Sequence, residues 1–321
     1  MFRILPKPTF EEFISTFTPF LNVSELEEEI RIRVQSIASD LLDFQPSDNP
    51  SENLKRFLKK DKNFIGVILA MANLSQEKFL RIISAKRFSE GDLGAEWNID
   101  TVYRKICSDD NFAEIIAQMF IEGREHELLS EIIPNFYLDQ LALPSAWDAI
   151  IRDQQVIGNV VRKKLTGEYT NMKGDHVENQ IKRMISLNAE EYGFTFAQGQ
   201  VQAMGIGKEV DIAIPSLDDP CILIMVSYME TTSSGQTARA NEQSEIYQRI
   251  LAHNIRYNTT KKFINFIDGA GWLARRSDLI KLYNGCDYCL NLNTMEQLKL
   301  IIFKYLPTRF FSIMQPPRIE D

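Results

Sequence analysis

Past about residue 155 the chain changes texture, and this limits the available folds more than any other feature. Short apolar runs over residues 194–204, 209–215 and 221–228 follow closely on one another, separated by Gly, Pro and Asp. Two more, 262–267 and 287–292, alternate with helical stretches predicted over 237–253 and 275–283, and a last helix is predicted over 294–305. The first three runs are close enough to form an antiparallel meander. The later ones need crossover connections and therefore a mixed sheet covered on both faces. A long helix over 174–190, with Val177, Ile181, Met184, Ile185 and Leu187 on its apolar side, leads into the meander.

The first half reads differently. Ser24-Glu-Leu-Glu27 has the form of a capping box, and Leu26, Ile30, Ile32, Val34, Ile37, Leu41 and Leu42 recur after it at helical spacing. Further helices are predicted over 52–71, 75–87, 99–107, 110–121 and 124–132, with Pro134 and Pro144 punctuating the end. Almost nothing there alternates like a strand. The expected organisation is an all-helical domain over 1–150 and an α/β domain over 151–321.

Composition narrows the class without naming an activity. With 44% hydrophobic and 25% charged residues among 321, the chain can bury a sizeable core. Its first residues have no apolar signal region, and no run is long enough to span a bilayer, so the expected location is cytoplasmic. Four cysteines are too few for a disulfide framework, and Cys286-Asp-Tyr-Cys289 supplies only two of the ligands that a structural zinc needs. That pair reads as core packing. The net charge of −8 does not exclude a nucleic-acid partner, because the local potential of a cleft decides such binding. Basic runs gather in the second half, at Arg162-Lys-Lys164, Lys182-Arg183, Lys261-Lys262 and Arg275-Arg276.

The chemistry points to Asp211. In Glu209-Val-Asp211-Ile-Ala-Ile, alternation puts Glu209, Asp211 and Ala213 on one face, and a carboxylate in an apolar strand demands a cation or hydrogen-bond donors. The next strand, from Ile222 to Tyr228, is apolar until Ser227 and brings its polar end beside Asp211. It runs into Thr231-Thr-Ser233-Ser234-Gly235, which opens a helix; hydroxyls of Ser233, Ser234 and Thr237 around its first amides would suit a phosphate. Gln236, Arg239 and Glu242 are three apart, so they share a face of that helix.

The element order and these residues resemble the PD-(D/E)XK nuclease superfamily, and within it the type II restriction endonucleases. The resemblance covers roughly residues 155–305. It implies a helical N-terminal domain followed by a restriction-endonuclease-like α/β core with a mixed sheet, and Mg²⁺-dependent, sequence-specific hydrolysis of double-stranded DNA. Asp211 matches the first acid of the pattern. Glu178, on the preceding helix, matches a glutamate that adds a water-mediated metal contact, and Glu230 is a spare ligand. Where the pattern has Glu-x-Lys, however, this chain has Met225-Val-Ser227. Several restriction enzymes, the GATC-cutting group among them, replace the strand lysine with a glycine- and serine-rich turn and a basic residue on the next helix. Gln236, Arg239 and Glu242 would take that part here.

A second block, Phe263-Ile-Asn-Phe-Ile-Asp268-Gly-Ala-Gly271-Trp272, is similar to Asp-Gly-x-Gly-Trp blocks at the same place in restriction endonucleases. Its glycines allow a tight turn and Asp268 can cap; alternatively, the loop and the Arg275-Arg276 pair face DNA phosphates. The family also implies a homodimer, because cutting both strands of a palindrome asks for two sites related by a two-fold axis. A DNA methyltransferase would be the functional partner in a restriction-modification system. The degenerate third strand keeps open a catalytically inactive DNA-binding protein on a decayed nuclease fold. A protein-binding helical scaffold is the more distant alternative.

Overall fold

The computed structural model describes residues 2–3, 6–42, 49–144 and 146–320. It divides into two compact units: Ser24–Tyr169, and Thr170–Asp321 together with Met1–Val23. The division differs from a cut near residue 150, because the first 23 residues go with the later part of the chain.

The unit Ser24–Tyr169 is helical, packed around the fully buried Leu54, Phe57, Phe64, Phe79 and Phe120. Local chemistry sets its helix ends. Asn49 caps the helix Pro50–Lys60 by accepting from the amides of Ser51 and Glu52, with Pro50 in the first turn, where its missing N–H is no loss. The single helix expected over 52–71 is two, Pro50–Lys60 and Lys62–Met71. Asp61 sits between them in an extended conformation, and its carboxylate accepts from the Asn63 amide at 2.6 Å. The helix expected over 124–132 is likewise broken, into turns at Gly123–Glu125 and Glu127–Ser130. Gly123, at φ 55°, ends the preceding helix Asp110–Glu122.

The second unit is a five-stranded mixed sheet between helices. Helix α1 (Gln154–Tyr192), which belongs to this unit from Thr170 onward, starts well before the 174–190 expected. After it come β1 (Ala197–Val201), β2 (Lys208–Ile214), β3 (Ile222–Tyr228), α2 (Gln236–Tyr257), β4 (Lys262–Asp268), α3 (Arg276–Asn284), β5 (Tyr288–Leu290) and α4 (Gln297–Tyr305). The strands lie in chain order: β1, β2 and β3 pair antiparallel, and β3, β4 and β5 pair parallel through the helical crossovers. One apolar layer joins Val177, Ile181 and Ile185 of α1 and Leu298 and Ile301 of α4 to Ile212, Ile214 and Ile224. The other joins Ala240, Ile246 and Ile250 of α2 and Leu279 and Leu282 of α3 to Ala213, Leu223 and Phe263. Cys286 and Cys289 are buried in this second layer as free thiols.

The chain's first residues lie along the same unit. Thr9 and Glu12 form a reciprocal capping box that starts the short helix Phe10–Ser15, and Phe13 and Phe17 enter the layer that holds Phe263 and Trp272. Asp268, fully buried at the end of β4, binds them in place. Its carboxylate accepts from the amides of Thr18 at 2.6 Å, Gly269 at 2.8 Å and Leu292 at 3.0 Å. Asp268 thus closes three chain segments onto one another. Gly269 and Gly271 allow the approach: a Cβ on either would collide with the carbonyl of Met229 or Thr231, and Gly269 has φ 102°.

Candidate active site

The β2–β3 ladder pairs Ile214 with Ile222, Ala213 with Leu223 and Ile212 with Ile224, and goes no further. β3 continues on its other side against β4 as far as Tyr228 and Asp268. Beyond Ile212 the antiparallel partner is therefore lost, and the Val226 amide is free for a side chain. Asp211, the next residue of β2, takes it: Val226 N–H donates to Asp211 Oδ2 at 2.7 Å.

The splay between β2 and β3 opens a cavity of about 740 Å³ lined from β2, β3, α1 and α2. Asp211 lines it together with Glu178 and Asp175 of α1, Glu209 and Lys208 of β2, and Arg239 and Glu242 of α2. Burial pushes the Asp211 carboxyl above the usual aspartate range. The Val226 amide opposes that shift, the charge on Glu178 adds to it, and the charges on Arg239 and Lys182 oppose it. Glu178 is ion-paired with Lys182 at 2.5 Å, and Glu242 with Lys208 at 2.9 Å. Among the described residues Asp211 has no lysine or arginine within ion-pair distance, so this half-buried carboxylate is held by one strand amide and otherwise faces the cavity.

Ser227 fills the position at which the resemblance puts a lysine. Buried at 3% exposure, its Oγ accepts from Arg239 Nη1 at 2.9 Å and from Trp272 Nε1 at 3.2 Å. The third strand thus holds a guanidinium from α2 where an amine of its own is missing.

The other expected residues are placed elsewhere. Gln236 is 1% exposed and does not line the cavity. Its Oε1 accepts from the Ser233 amide at 3.1 Å and its Nε2 donates to the Gly271 carbonyl at 3.1 Å, which fixes the turn at the head of α2. Ser233 uses its backbone in that turn, Ser234 is exposed, and Gly235 occupies the cap position without a side-chain bond, so no ring of hydroxyls caps α2. Thr237 donates to Asp278 at 2.8 Å. Glu230 turns out of the cavity and accepts from Lys173 at 2.9 Å, Tyr228 at 2.7 Å and the Leu21 amide at 2.8 Å. Burial pushes its carboxyl up, but these three donors together hold it below the usual glutamate range. Arg275 reaches the Ser233 carbonyl at 3.5 Å, and Arg276 lies over the Phe10 ring beside Glu11.

Residues 152–300 match the family model described as DpnII restriction endonuclease. No curated protein and no solved structure matches the chain. The matched segment is just under half of the chain and contains the sheet from β1 to β5 and every residue around the cavity. It supports a restriction endonuclease, a nuclease acting on DNA.

Carboxylate oxygens are the hard donors that Mg²⁺ prefers. Among the described residues no group of three or more His, Cys, Asp and Glu side chains forms a ready ligand set. Asp211, which has no paired cation, and Glu178 lie in the same cavity and nevertheless fit an ion that is commonly held by one or two carboxylates, with substrate phosphate and water completing its shell. Asp175 and Lys208 were not singled out from the sequence. Asp175 precedes Glu178 by three residues and so shares its helix face, a signal present in the sequence.

Proposed function

We propose that this protein is a type II restriction endonuclease that hydrolyses phosphodiester bonds of double-stranded DNA at a specific sequence, with Mg²⁺ held by Asp211 and Glu178. The observation that carries the reading is Asp211: a half-buried carboxylate in a splayed strand pair, with Glu178 beside it and a cavity in front. When bound, Mg²⁺ would neutralise charge on the scissile phosphate and lower the pKa of water. The side chains supply the rest. Arg239 offers a guanidinium to the phosphate oxygens, a planar cation suited to bidentate contact. Lys208 adds a second positive charge at the rim, and Glu242, its ion-pair partner, holds it there. Glu230 and Gln236 have structural roles in this reading, because their polar atoms are already engaged within the fold.

A homodimer would bring two such cavities to the two strands of a palindrome. The helical unit would contribute to DNA grip, base recognition or the dimer contact, and a methyltransferase acting on the same sequence would protect the host DNA.

The test is cleavage of a supercoiled plasmid by the full chain with Mg²⁺, with EDTA, and after Asp211→Ala. The expected result is a discrete set of linear fragments that needs the metal, with at least a thousandfold loss of rate in the variant. A wild-type protein that retards duplex DNA at low salt yet cuts no plasmid would overturn the enzyme reading in favour of a DNA-binding protein.

A further inference from the structure

The Asp-Gly-x-Gly-Trp block lies outside the cavity, yet its indole reaches the strand that lines it. Gly271 donates its amide to the Met229 carbonyl at 2.8 Å, where the lack of a Cβ allows the two backbones to touch. That contact seats Trp272, fully buried, under the end of β3. Its Nε1–H donates to both the carbonyl and the hydroxyl of Ser227, each at 3.2 Å. On its other side the same hydroxyl accepts from Arg239 at 2.9 Å. Arg239 is otherwise exposed, and no acidic side chain among the described residues lies within ion-pair distance of it.

We infer that Ser227 and Trp272 are positioning residues: a relay from the buried indole through the Ser227 oxygen that fixes the Arg239 guanidinium in the cavity beside Asp211. A long arginine side chain on a helix face samples many rotamers, and one hydrogen bond to a fixed acceptor selects among them. Ser227 is a suitable acceptor because it belongs to a central strand paired in register with β4. The indole orients the acceptor: by donating to Ser227 Oγ it directs a remaining lone pair toward Arg239. The substitution of serine for an amine-bearing residue on the third strand thereby becomes intelligible. The strand supplies the socket and α2 supplies the cation. This inference rests on the nuclease reading for its purpose, and on the hydrogen bonds alone for the linkage.

Two measurements on the full chain separate these. The first is cleavage kinetics on a supercoiled plasmid with Mg²⁺ for Ser227→Ala, Arg239→Ala and the double variant, with Ser227→Thr as the conservative control. A hydrogen bond to a charged group is worth about ten- to a hundredfold. Ser227→Ala should therefore lose about that much in kcat, with KM within about twofold. Ser227→Thr should recover most of it, and the double variant should be no slower than Arg239→Ala alone. Losses that multiply in the double variant would overturn the relay, because two residues acting as one unit cannot add. The second is the indole N–H signal of Trp272 in a nitrogen-15 spectrum, identified among the three tryptophans by its loss in Trp272→Phe. It should move in Arg239→Ala, which changes only the far side of the shared oxygen, and an unmoved signal would overturn the linkage. If wild type cuts no plasmid, the nuclease reading fails, and the inferred purpose with it, while the indole signal still decides the linkage. If Ser227→Ala does not fold, the response to Arg239→Ala decides by itself.

Discussion

Asp211 and Val226 are joined where the β2–β3 ladder has already ended, the strand amide donating to the carboxylate at 2.7 Å. One donor does not compensate for the burial of a carboxylate, and the charge of Glu178 acts against it as well. Asp211 is thus held in an unfavourable state that the fold tolerates.

Asp211→Asn should therefore stabilise the protein while abolishing cleavage. An acid whose pKa is raised on folding binds its proton more tightly in the folded state. Stability accordingly falls as pH rises from the ordinary value of 3.8 through the raised one, and remains lower above it. The neutral amide removes that cost. Thermal melting at neutral pH should show a higher midpoint for the variant than for wild type. Added Mg²⁺ should raise the melting point of wild type and leave that of Asp211→Asn unchanged.

The pair of Lys173 and Glu230 should behave in the opposite way. Its side chains are 6% and 10% exposed, and Tyr228 and the Leu21 amide complete the carboxylate's partners. Lys173→Met would leave the charge without its cation and should cost about 3–5 kcal/mol in urea unfolding. Since the Glu230 carboxyl is lowered on folding from 4.5, its contribution is present above that pH and is lost as pH falls through the lowered value. The difference in stability between wild type and Glu230→Gln should shrink over the same acid range.

Gly269→Ala should be among the most damaging small substitutions in the chain. A methyl group there meets the Met229 carbonyl, and φ 102° strains any residue with a side chain. The expected loss is about 2–4 kcal/mol. Activity should fall with it, because the loop carries Trp272 to Ser227.

Arg275→Ala and Arg276→Ala should affect DNA binding rather than the chemical step. If these residues contact phosphates, each substitution weakens binding to all duplex sequences alike and lowers the salt slope by about one. Equilibrium binding measured across salt concentrations would show this. An unchanged slope would leave Arg275 as a support for the Ser233 turn, which it reaches at 3.5 Å.

The order of strands and helices from residue 174 onward was legible in the sequence because periodicity and punctuation are local properties. The 3.6-residue recurrence of Val177, Ile181 and Ile185 and the apolar run of β3 each report which way a side chain faces within a single element. Asp211 was legible for the same reason, as an acid out of place in an apolar strand. Boundaries were less so: one residue, Asp61, splits a periodic stretch into two helices by offering its carboxylate to the amide of Asn63.

Only the tertiary structure decided which acids are free. Nothing in the spacing of Asp211, Glu178 and Glu230 tells them apart as ligands. Lys173, 57 residues earlier, takes Glu230 out of the cavity, whereas the end of the β2–β3 ladder leaves Asp211 facing into it. The same holds for Asp268, whose three amide donors come from its own turn and from segments 250 and 24 residues away in the chain. Serine at position 227 looks like a lost catalytic residue until α2 and the Trp272 loop are folded against it. A sequence sets how each segment prefers to bend and which face it buries. The charge and hydrogen-bond partners that fix a carboxylate's state come from distant segments, and they meet only in the folded chain.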